Sequence, residues 1–466
     1  MAACDARPFA RRFAAPVAPH QALGYHLWLS PRGGDQRGGS AAAALERMVS
    51  IARWPALDAL HDAHFRRLWL AGLCVNVGRW LDFLVLGWLV LEITGSPFMV
   101  GLAAFCRFAP MIVLGLFAGL LIDRVPRGKL LVGVQSLNLG VTVLLAVLFA
   151  TGYGGLWTLI GLETVLGVAW AIDFPARRTA LFTLVGPKRV TNAVSLESVS
   201  MQGTKIIGPI LGGVLLARLG PAACYVVLAA LYAGALLLTL ALSRQATLPS
   251  APRSNESILA GLVTGFQEAR WQPAIFGVLV ITVVMNGLVF PYQQIMPVFA
   301  RDVLHVGPEA LGVLFAAGGL GTLLGALWTA GRQNFTAHRQ VFVGGSMLAG
   351  CMVVVQSFSS DYSIAILVQF VIGIAEAGFG TMQSTIVLLA AHERARGRVL
   401  GILSVCIGTN PIGALGVATL TTYVGAPLAF GGAAALALLL MAPSAARLLA
   451  EGSRPLRVMR DEQQPA

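Results

Sequence analysis

Long apolar segments recur along this sequence, and they are the feature that most constrains its fold. Each has about the 20 residues that an α-helix needs to cross a bilayer. Only 12% of the 466 residues are charged, whereas soluble domains carry about 25%. Backbone polar groups in hydrocarbon must be satisfied within the protein, so we expect an all-α membrane protein. The twelve predicted spans are at about residues 67–92, 97–122, 129–150, 156–174, 191–217, 221–243, 273–299, 309–330, 340–358, 362–390, 399–421 and 427–447.

The basic residues are distributed unevenly between the two sides of this predicted bundle. Most of the 33 Lys and Arg residues fall before the first span, after the last span or in every second connection. The remaining connections contain only Arg218 and Arg301. Because basic loops are retained in the cytoplasm, we expect both termini to be cytoplasmic. The net charge of +12 is therefore explained by membrane topology, and nucleic-acid binding is not indicated.

The segments outside the spans divide the chain into parts. The N-terminal extension is rich in Ala, Arg, Gly and Pro and has no apolar run, so we expect it to be disordered, without a signal peptide, and Met48 is an alternative start. The longest internal connection begins with Pro and Ser and continues with helical apolar spacing, which favours a linker with a short interfacial helix. The predicted parts are an extension (1–64), a first bundle (65–243), a cytoplasmic linker (244–271), a second bundle (272–447) and a cytoplasmic tail (448–466).

A compact charged turn, GLLIDRVPRGK at residues 119–129, follows the second span. Its glycine permits close helix approach, and its bases can anchor the turn among lipid headgroups. This turn resembles the signature loop of the major facilitator superfamily of transporters. The resemblance implies two six-helix bundles around a central cavity. It also implies a cytoplasmic gate, although the same charges can simply anchor helix ends. The gate candidates are Gly119, Asp123, Arg124, Arg127, Lys129, Asp173 and Arg177.

Three further motifs indicate which branch of this superfamily the sequence resembles. The sequences RFAP at 107–110 and PAR at 175–177 resemble the bacterial efflux branch that includes macrolide exporters and the enterobactin exporter. The fifth span contains GPILGG at 208–213, which is similar to a motif of antiporter members. Its proline bends a helix and its glycines allow close contact, so ordinary helix packing is the alternative interpretation. The candidate positions of this motif are Gly208, Pro209, Gly212 and Gly213.

Ionisable residues inside the spans are the candidates for coupling. A charge at mid-membrane costs about 2.5–3.5 kcal/mol even on lenient scales, so a retained charge usually faces a cavity or a partner. Asp82 and Glu376 are our first candidates for carrying a proton, followed by Glu163. Arg79 lies three residues from Asp82 and can instead neutralise it. Arg107 and Lys205 can balance the acids or hold an anionic substrate. The other cavity candidates are Asn76, Asn286 and Gln369.

The sequence contains no nucleophile–base set, phosphate-binding loop or metal-ligand spacing, so we expect no enzyme activity, cofactor or metal. We expect a secondary active transporter that works by alternating access and exports an amphipathic drug or siderophore-like molecule against protons. The expected partners are this small molecule, protons and the lipid bilayer, with a monomer in the inner membrane of a bacterium. The alternatives are an importer or facilitator on the same fold, and a non-transporting membrane sensor or scaffold. The substrate itself is not encoded in any recognisable motif.

Overall fold

The protein is helical throughout the part that the structure covers. The computed structural model describes residues 59–245, 265–267, 269–330, 337–392 and 395–450, with the backbone alone at 113–124, 182, 186–191 and 330. No strand occurs among these residues. Most of the predicted extension, the predicted interfacial helix and most of the C-terminal tail lie outside them.

Ten helices in the described ranges are long and apolar enough to cross a membrane. One of them, Asn192–Gln245, has 54 residues, which corresponds to about 80 Å of straight helix. It folds back at Gly220, whose φ is 78°. The Sγ atom of Cys224 therefore lies 3.9 Å from the carbonyl oxygen of Gly212, although twelve residues of straight helix span about 18 Å. This segment contains two spans, and the helix Pro97–Arg124 is a further one, which agrees with the predicted twelve.

We number the spans in chain order. They are α1 (Ala63–Thr94), α2 (Pro97–Arg124), α3 (Arg127–Ala150), α4 (Leu156–Val185), α5 (192–219), α6 (221–245), α7 (Pro273–Asp302), α8 (Pro308–Ala330), α9 (His338–Ser357), α10 (Tyr362–Ala390), α11 (Arg396–Val424) and α12 (Ala426–Ala450). Helices α4, α5 and α6 form one helical stretch over Leu156–Gln245 that is interrupted by the turn at Gly220. Helix α7 consists of Pro273–Val284, a π-helix at Met285–Val289, and Tyr292–Asp302. Helix α11 consists of Arg396–Ile407 and Asn410–Val424.

Local sequence signals explain where these helices begin and end. The Asp62 carboxylate accepts hydrogen bonds from the backbone N–H groups of His64 and Phe65, which caps the start of α1. The left-handed Gly95 ends the helix. All four glycines with positive φ in the described ranges follow α1, α3, α5 or α11. We call the end of the bundle that contains these turns the opposite end, and the end where α1 begins the basic end.

Helix α4 is longer than the sequence predicts, because it continues past Pro175 to Val185. We placed the end of this span at about residue 174, where the charges begin. The additional turns bury Ala176, Ala180 and Leu181 against Phe65 of α1. Burial of this apolar face stabilises helix beyond the membrane-length segment.

The two halves, α1–α6 and α7–α12, contact each other along α5 and α8 and along α2 and α11. A Cβ atom on Gly213 would lie 2.3 Å from the carbonyl oxygen of Pro308, so α5 and α8 approach backbone to backbone. Arg218 pairs with Glu309 across the halves at 2.7 Å. Arg301 likewise donates to the carbonyl oxygen of Leu91 at 3.1 Å. The two bases expected on the non-basic side both bridge the halves at the opposite end.

Candidate functional site

A buried ionic triad connects three helices of the N-terminal half. The Arg107 guanidinium of α2 lies 2.6 Å from the Asp82 carboxylate of α1 and 2.6 Å from the Glu163 carboxylate of α4. The three side chains are 7%, 1% and 0% exposed. The Tyr225 hydroxyl of α6 donates to Glu163 at 3.4 Å. The carboxyl groups of Asp82 and Glu163 also lie close enough to each other to share a hydrogen bond. One cation thus faces two acids, so the triad can neutralise its charge by binding one proton.

The triad depends on close packing between α2 and α4. A Cβ atom on Gly167 would lie 2.0 Å from the carbonyl oxygen of Arg107. No other residue type fits this approach without moving a helix. Gly167 therefore keeps α2 and α4 close enough for the Arg107 side chain to contact Glu163.

Arg79 does not neutralise Asp82, and that alternative interpretation of the first span is wrong. Its guanidinium carbon lies 4.9 Å from the ring centre of Trp170 and 5.6 Å from that of Trp80. Successive positions three residues apart rotate by about 60° around a helix, so Asn76, Arg79 and Asp82 meet different neighbours. Asn76 lies beside Arg177 and Glu197 instead.

An aromatic wall adjoins these cations. It is formed by Trp80, Phe83, Phe108, Trp170 and Phe174, whose successive ring centres are 5.7, 6.3, 5.8 and 6.1 Å apart. Phe315 of α8 extends it into the second half, with its ring centre 5.6 Å from that of Phe83. The five wall residues are half-buried, and Phe83 and Phe108 line a small cavity together with Gln293, Gln294 and Pro297 of the second half.

In the C-terminal half, Glu376 is held by hydrogen bonds rather than by an arginine. Gln293 donates to its carboxylate at 2.8 Å, and the Tyr292 hydroxyl donates at 3.4 Å. Gln369 donates to the Tyr292 hydroxyl at 2.9 Å. The nearest basic group is Lys205 of α5, which lines the same recess but forms no ion pair within 4 Å among the described residues. The acid in one half therefore faces a cation that belongs to the other half.

The π-helix of α7 positions this cluster. Asn286 lies within it, and its amide donates to the carbonyl oxygen of Thr282 at 2.9 Å. Its own carbonyl accepts from Asn410 of α11 at 3.4 Å. The extra residue of a π-helix shifts the following turn. This shift places Tyr292 and Gln293 on the side that faces α10. Asn286 thus contacts helices and not the recess that contains Glu376.

Four of the gate candidates have described side chains at the basic end, namely Arg127, Lys129, Asp173 and Arg177. Asp173 pairs with Arg177 one turn along α4, and Gln135 of α3 donates to Asp173 at 2.8 Å. Arg127 is buried and donates to Thr183 at 3.0 Å, whereas Lys129 is exposed. The side chains of Gly119, Asp123 and Arg124 lie outside the described residues. The described charges therefore connect helices within one half.

The four positions of the antiporter-like motif are all buried at helix contacts. A Cβ atom on Gly208 would lie 2.6 Å from the Cβ atom of Trp80, and one on Gly212 would lie 3.0 Å from the carbonyl oxygen of Leu81. Gly213 and Pro209 face α8. The motif brings α5 against α1 on one side and against the second half on the other.

Sequence analysis missed several residues of the site. Tyr225 and Gln135 hydrogen-bond to the buried acids, and the wall adjoins Arg79. A partial signal existed, since Trp80 and Phe108 each adjoin a candidate arginine. Among the described residues, no group of three His, Cys, Asp or Glu side chains is arranged to hold a metal ion.

Known proteins resemble the chain over most of its length. It is 25% identical to the multidrug efflux pump Tap of Mycolicibacterium fortuitum, with 74% of this chain and 85% of that protein covered. It is 24% identical to the staphyloferrin A transporter of Staphylococcus aureus, with 73% and 85% covered. The inward-facing crystal structure of a bacterial homologue of the lysosomal transporter Spinster shares its fold. That comparison has a TM-score of 0.64 and 14% identity, and covers 87% of this chain and 100% of the other.

The sequence profile of transmembrane secretion effectors matches residues 55–457. This range includes all twelve spans, the ionic triad and the Glu376 cluster. The chain belongs to the transmembrane secretion effector family of major facilitator superfamily transporters.

Proposed function

We propose that the protein exports an amphipathic small molecule in exchange for protons. A site between the halves opens alternately to the two sides of the membrane as α1–α6 and α7–α12 rock against each other. The observation that carries the proposal is the triad, in which one guanidinium faces two buried carboxyl groups.

The charge balance of the triad explains how it couples. With both acids ionised its net charge is negative, and a net charge inside the membrane is costly. One bound proton removes that charge while the site is sealed. The carboxyl groups of Asp82 and Glu163 lie close enough to share a hydrogen bond, so the proton can be held between them. Access of water lowers the cost of the charged form and releases the proton, so the triad exchanges one proton per cycle.

Glu376 takes a second role in this proposal. Its interaction with Lys205 crosses between the halves, so the interaction weakens when the halves separate around it. Substrate in the recess between them competes for the same groups. Glu376 thereby connects substrate occupancy to the movement of the halves.

The orientation follows the basic residues. We assign the basic end to the cytoplasm of a bacterium, with both termini inside and the multi-pass chain in its inner membrane. In that orientation the closed opposite end corresponds to an inward-facing state. The Asp173–Arg177 pair and the signature turn form a gate on the cytoplasmic side. The efflux pump and the siderophore transporter among the relatives support export of a drug or siderophore-like molecule.

Proton movement in inside-out membrane vesicles tests this proposal. The vesicles are acidified inside, and a fluorescent pH indicator reports proton release when dyes, antibiotics or iron chelators are added. We expect at least one compound to release protons with the wild-type protein, and to fail with Asp82→Asn and with Glu163→Gln. Glu92→Gln is the matched control, because Glu92 lies exposed on the same helix as Asp82.

Two outcomes contradict the proposal. If compounds cross the membrane at the wild-type rate in both triad variants, the triad does not couple transport. If labelled compound leaves inside-out vesicles and does not enter them, the protein is an importer.

A further inference from the structure

We infer that the site between the halves binds an aromatic amphiphile that carries a negatively charged group. The inference rests on the proposed export function and specifies the substrate class of that site. It follows from two cations that share one indole ring at the edge of the aromatic wall.

Arg79 and Lys205 approach Trp80 from different helices. The guanidinium carbon of Arg79 lies 5.6 Å from the Trp80 ring centre, and the Lys205 ammonium lies 5.2 Å from it. Arg79 also covers Trp170 at 4.9 Å. Both basic side chains are half-buried and not sealed. Lys205 and Trp80 line the recess between the halves, and Arg79 lies against the same indole ring.

Three acids, Asp173, Glu197 and Glu376, act on these two cations from a distance. Among the described residues, neither Arg79 nor Lys205 forms an ion pair within 4 Å. Asp173, which interacts electrostatically with Arg79, is already paired with Arg177. Glu376, which interacts electrostatically with Lys205, accepts hydrogen bonds from Gln293 and Tyr292. Neither cation is therefore held in an ion pair, and an anionic group placed between Arg79 and Lys205 can pair with both.

The aromatic wall selects a flat apolar body and disfavours a cationic one. An aromatic ring attracts a cation to its face, but the faces of Trp80 and Trp170 are already occupied by Arg79 and Lys205. A cationic ligand meets like charges there. Among the described residues, no cation covers the neighbouring rings of Phe83 and Phe108, which offer stacking surface. A negative group between Arg79 and Lys205 and a ring on Phe83 and Phe108 satisfy both parts of the site.

Equilibrium binding to the purified full-length protein in detergent tests this inference without any gradient. The probe is tritiated 1-naphthaleneacetate, displaced by unlabelled 1-naphthaleneacetate, 1-naphthaleneethanol or 1-naphthaleneethylamine. The three compounds share one ring and differ in charge. We expect the acid to bind at least about tenfold more tightly than the alcohol or the amine, the size of one charge-assisted hydrogen bond.

Variants then assign the preference to the two cations. Arg79→Gln and Lys205→Gln should each weaken binding of the acid about tenfold, while affinity for the alcohol, measured by fluorescence quenching, changes less than about twofold. Arg79→Lys retains the charge and should retain the preference for the acid. Arg66→Gln is the matched control, because Arg66 is exposed at the basic end, away from the wall.

Several results overturn the inference. They are an amine that binds as tightly as the acid, no binding of the acid below about 1 mM, and unchanged affinity for the acid in both Gln variants. The order of the three wild-type affinities decides the matter even if a variant does not purify as a monodisperse protein. If the protein binds the acid selectively but exchanges no protons, the proposed function is refuted and this inference stands. If the protein exports cations and no anions in exchange for protons, this inference is refuted and the proposed function stands.

Discussion

In the N-terminal half two buried acids share an arginine, whereas in the C-terminal half a single acid is held by an amide and a phenol. Arg107 contacts Asp82 and Glu163 at 2.6 Å each, all within α1–α6. Glu376 accepts from Gln293 and Tyr292 of α7 and finds its nearest cation on the other half. The triad therefore retains its counter-ion when the halves move, but the environment of Glu376 changes. Because of this difference, the triad is suited to hold a proton, and Glu376 is suited to respond when the two halves close on each other.

The largest effect is expected from Arg107→Gln. It leaves two acids without their counter-ion, and breaking a buried pair in this way costs about 3–5 kcal/mol. We expect a lower thermal midpoint in detergent and no proton-coupled transport. Adding Asp82→Asn to this variant should recover part of the midpoint, because one fewer charge is buried. A midpoint equal to that of the wild type in Arg107→Gln would show that both acids are already neutral.

A matched pair of glycine variants distinguishes the roles of the two halves in transport. A Cβ atom on Gly167 would lie 2.0 Å from the Arg107 carbonyl oxygen, and one on Gly373 would lie 2.0 Å from that of Gly318. Either change to Ala should cost about 1–3 kcal/mol through overpacking. Only Gly167→Ala should also abolish substrate-induced proton release, since it displaces α4 from Arg107.

Controls for these two variants lie on the same helices. A Cβ atom on Gly161 of α4 or on Gly380 of α10 meets nothing within 4 Å, so both Ala variants should keep the wild-type midpoint. If Gly373→Ala abolishes proton release while Gly167→Ala spares it, the roles that we assign to the halves are reversed.

Glu376→Gln should have a smaller effect on stability. The amide oxygen of Gln can accept the hydrogen bonds from Gln293 and Tyr292, so we expect the free energy of unfolding to change by less than about 1.5 kcal/mol. Transport should slow because the attraction to Lys205 is lost. Lys205→Met should slow it to the same degree, and the double variant should be no slower than either single one. Additive effects in this double-mutant cycle would show that the two residues act on transport independently.

The smallest effect is expected from Arg218→Gln at the opposite end. The side chains of Arg218 and Glu309 are 73% and 40% exposed, and solvent screens such pairs. We expect a thermal midpoint within error of the wild type and a transport rate within about twofold of it. The backbone contact of Gly213 with Pro308 keeps this end closed. A strong shift towards labelling of the opposite end by a membrane-impermeant reagent would instead assign closure to the ion pair.

The sequence predicted the all-helical fold and the approximate ends of the spans. Apolar length and the position of Lys and Arg are properties of each segment by itself, because the bilayer acts on every span separately. The prediction was wrong about the length of α4, whose last turns are buried against Phe65 and are not held by the membrane. It also identified Asp82, Glu163, Glu376, Arg107 and Lys205 as residues inside the spans, since a charge in an apolar run is visible without any partner.

The partners of these charges were decided only by the tertiary structure. In sequence Arg79 is the nearest base to Asp82, yet Arg107 binds Asp82 and also reaches Glu163 on α4. Gln293 likewise reaches Glu376 from a different helix. Such contacts depend on how far each helix is rotated about its axis and how closely glycines such as Gly167 let its neighbour approach. Rotation and approach result from packing between helices, so they are absent from the hydropathy of any single span.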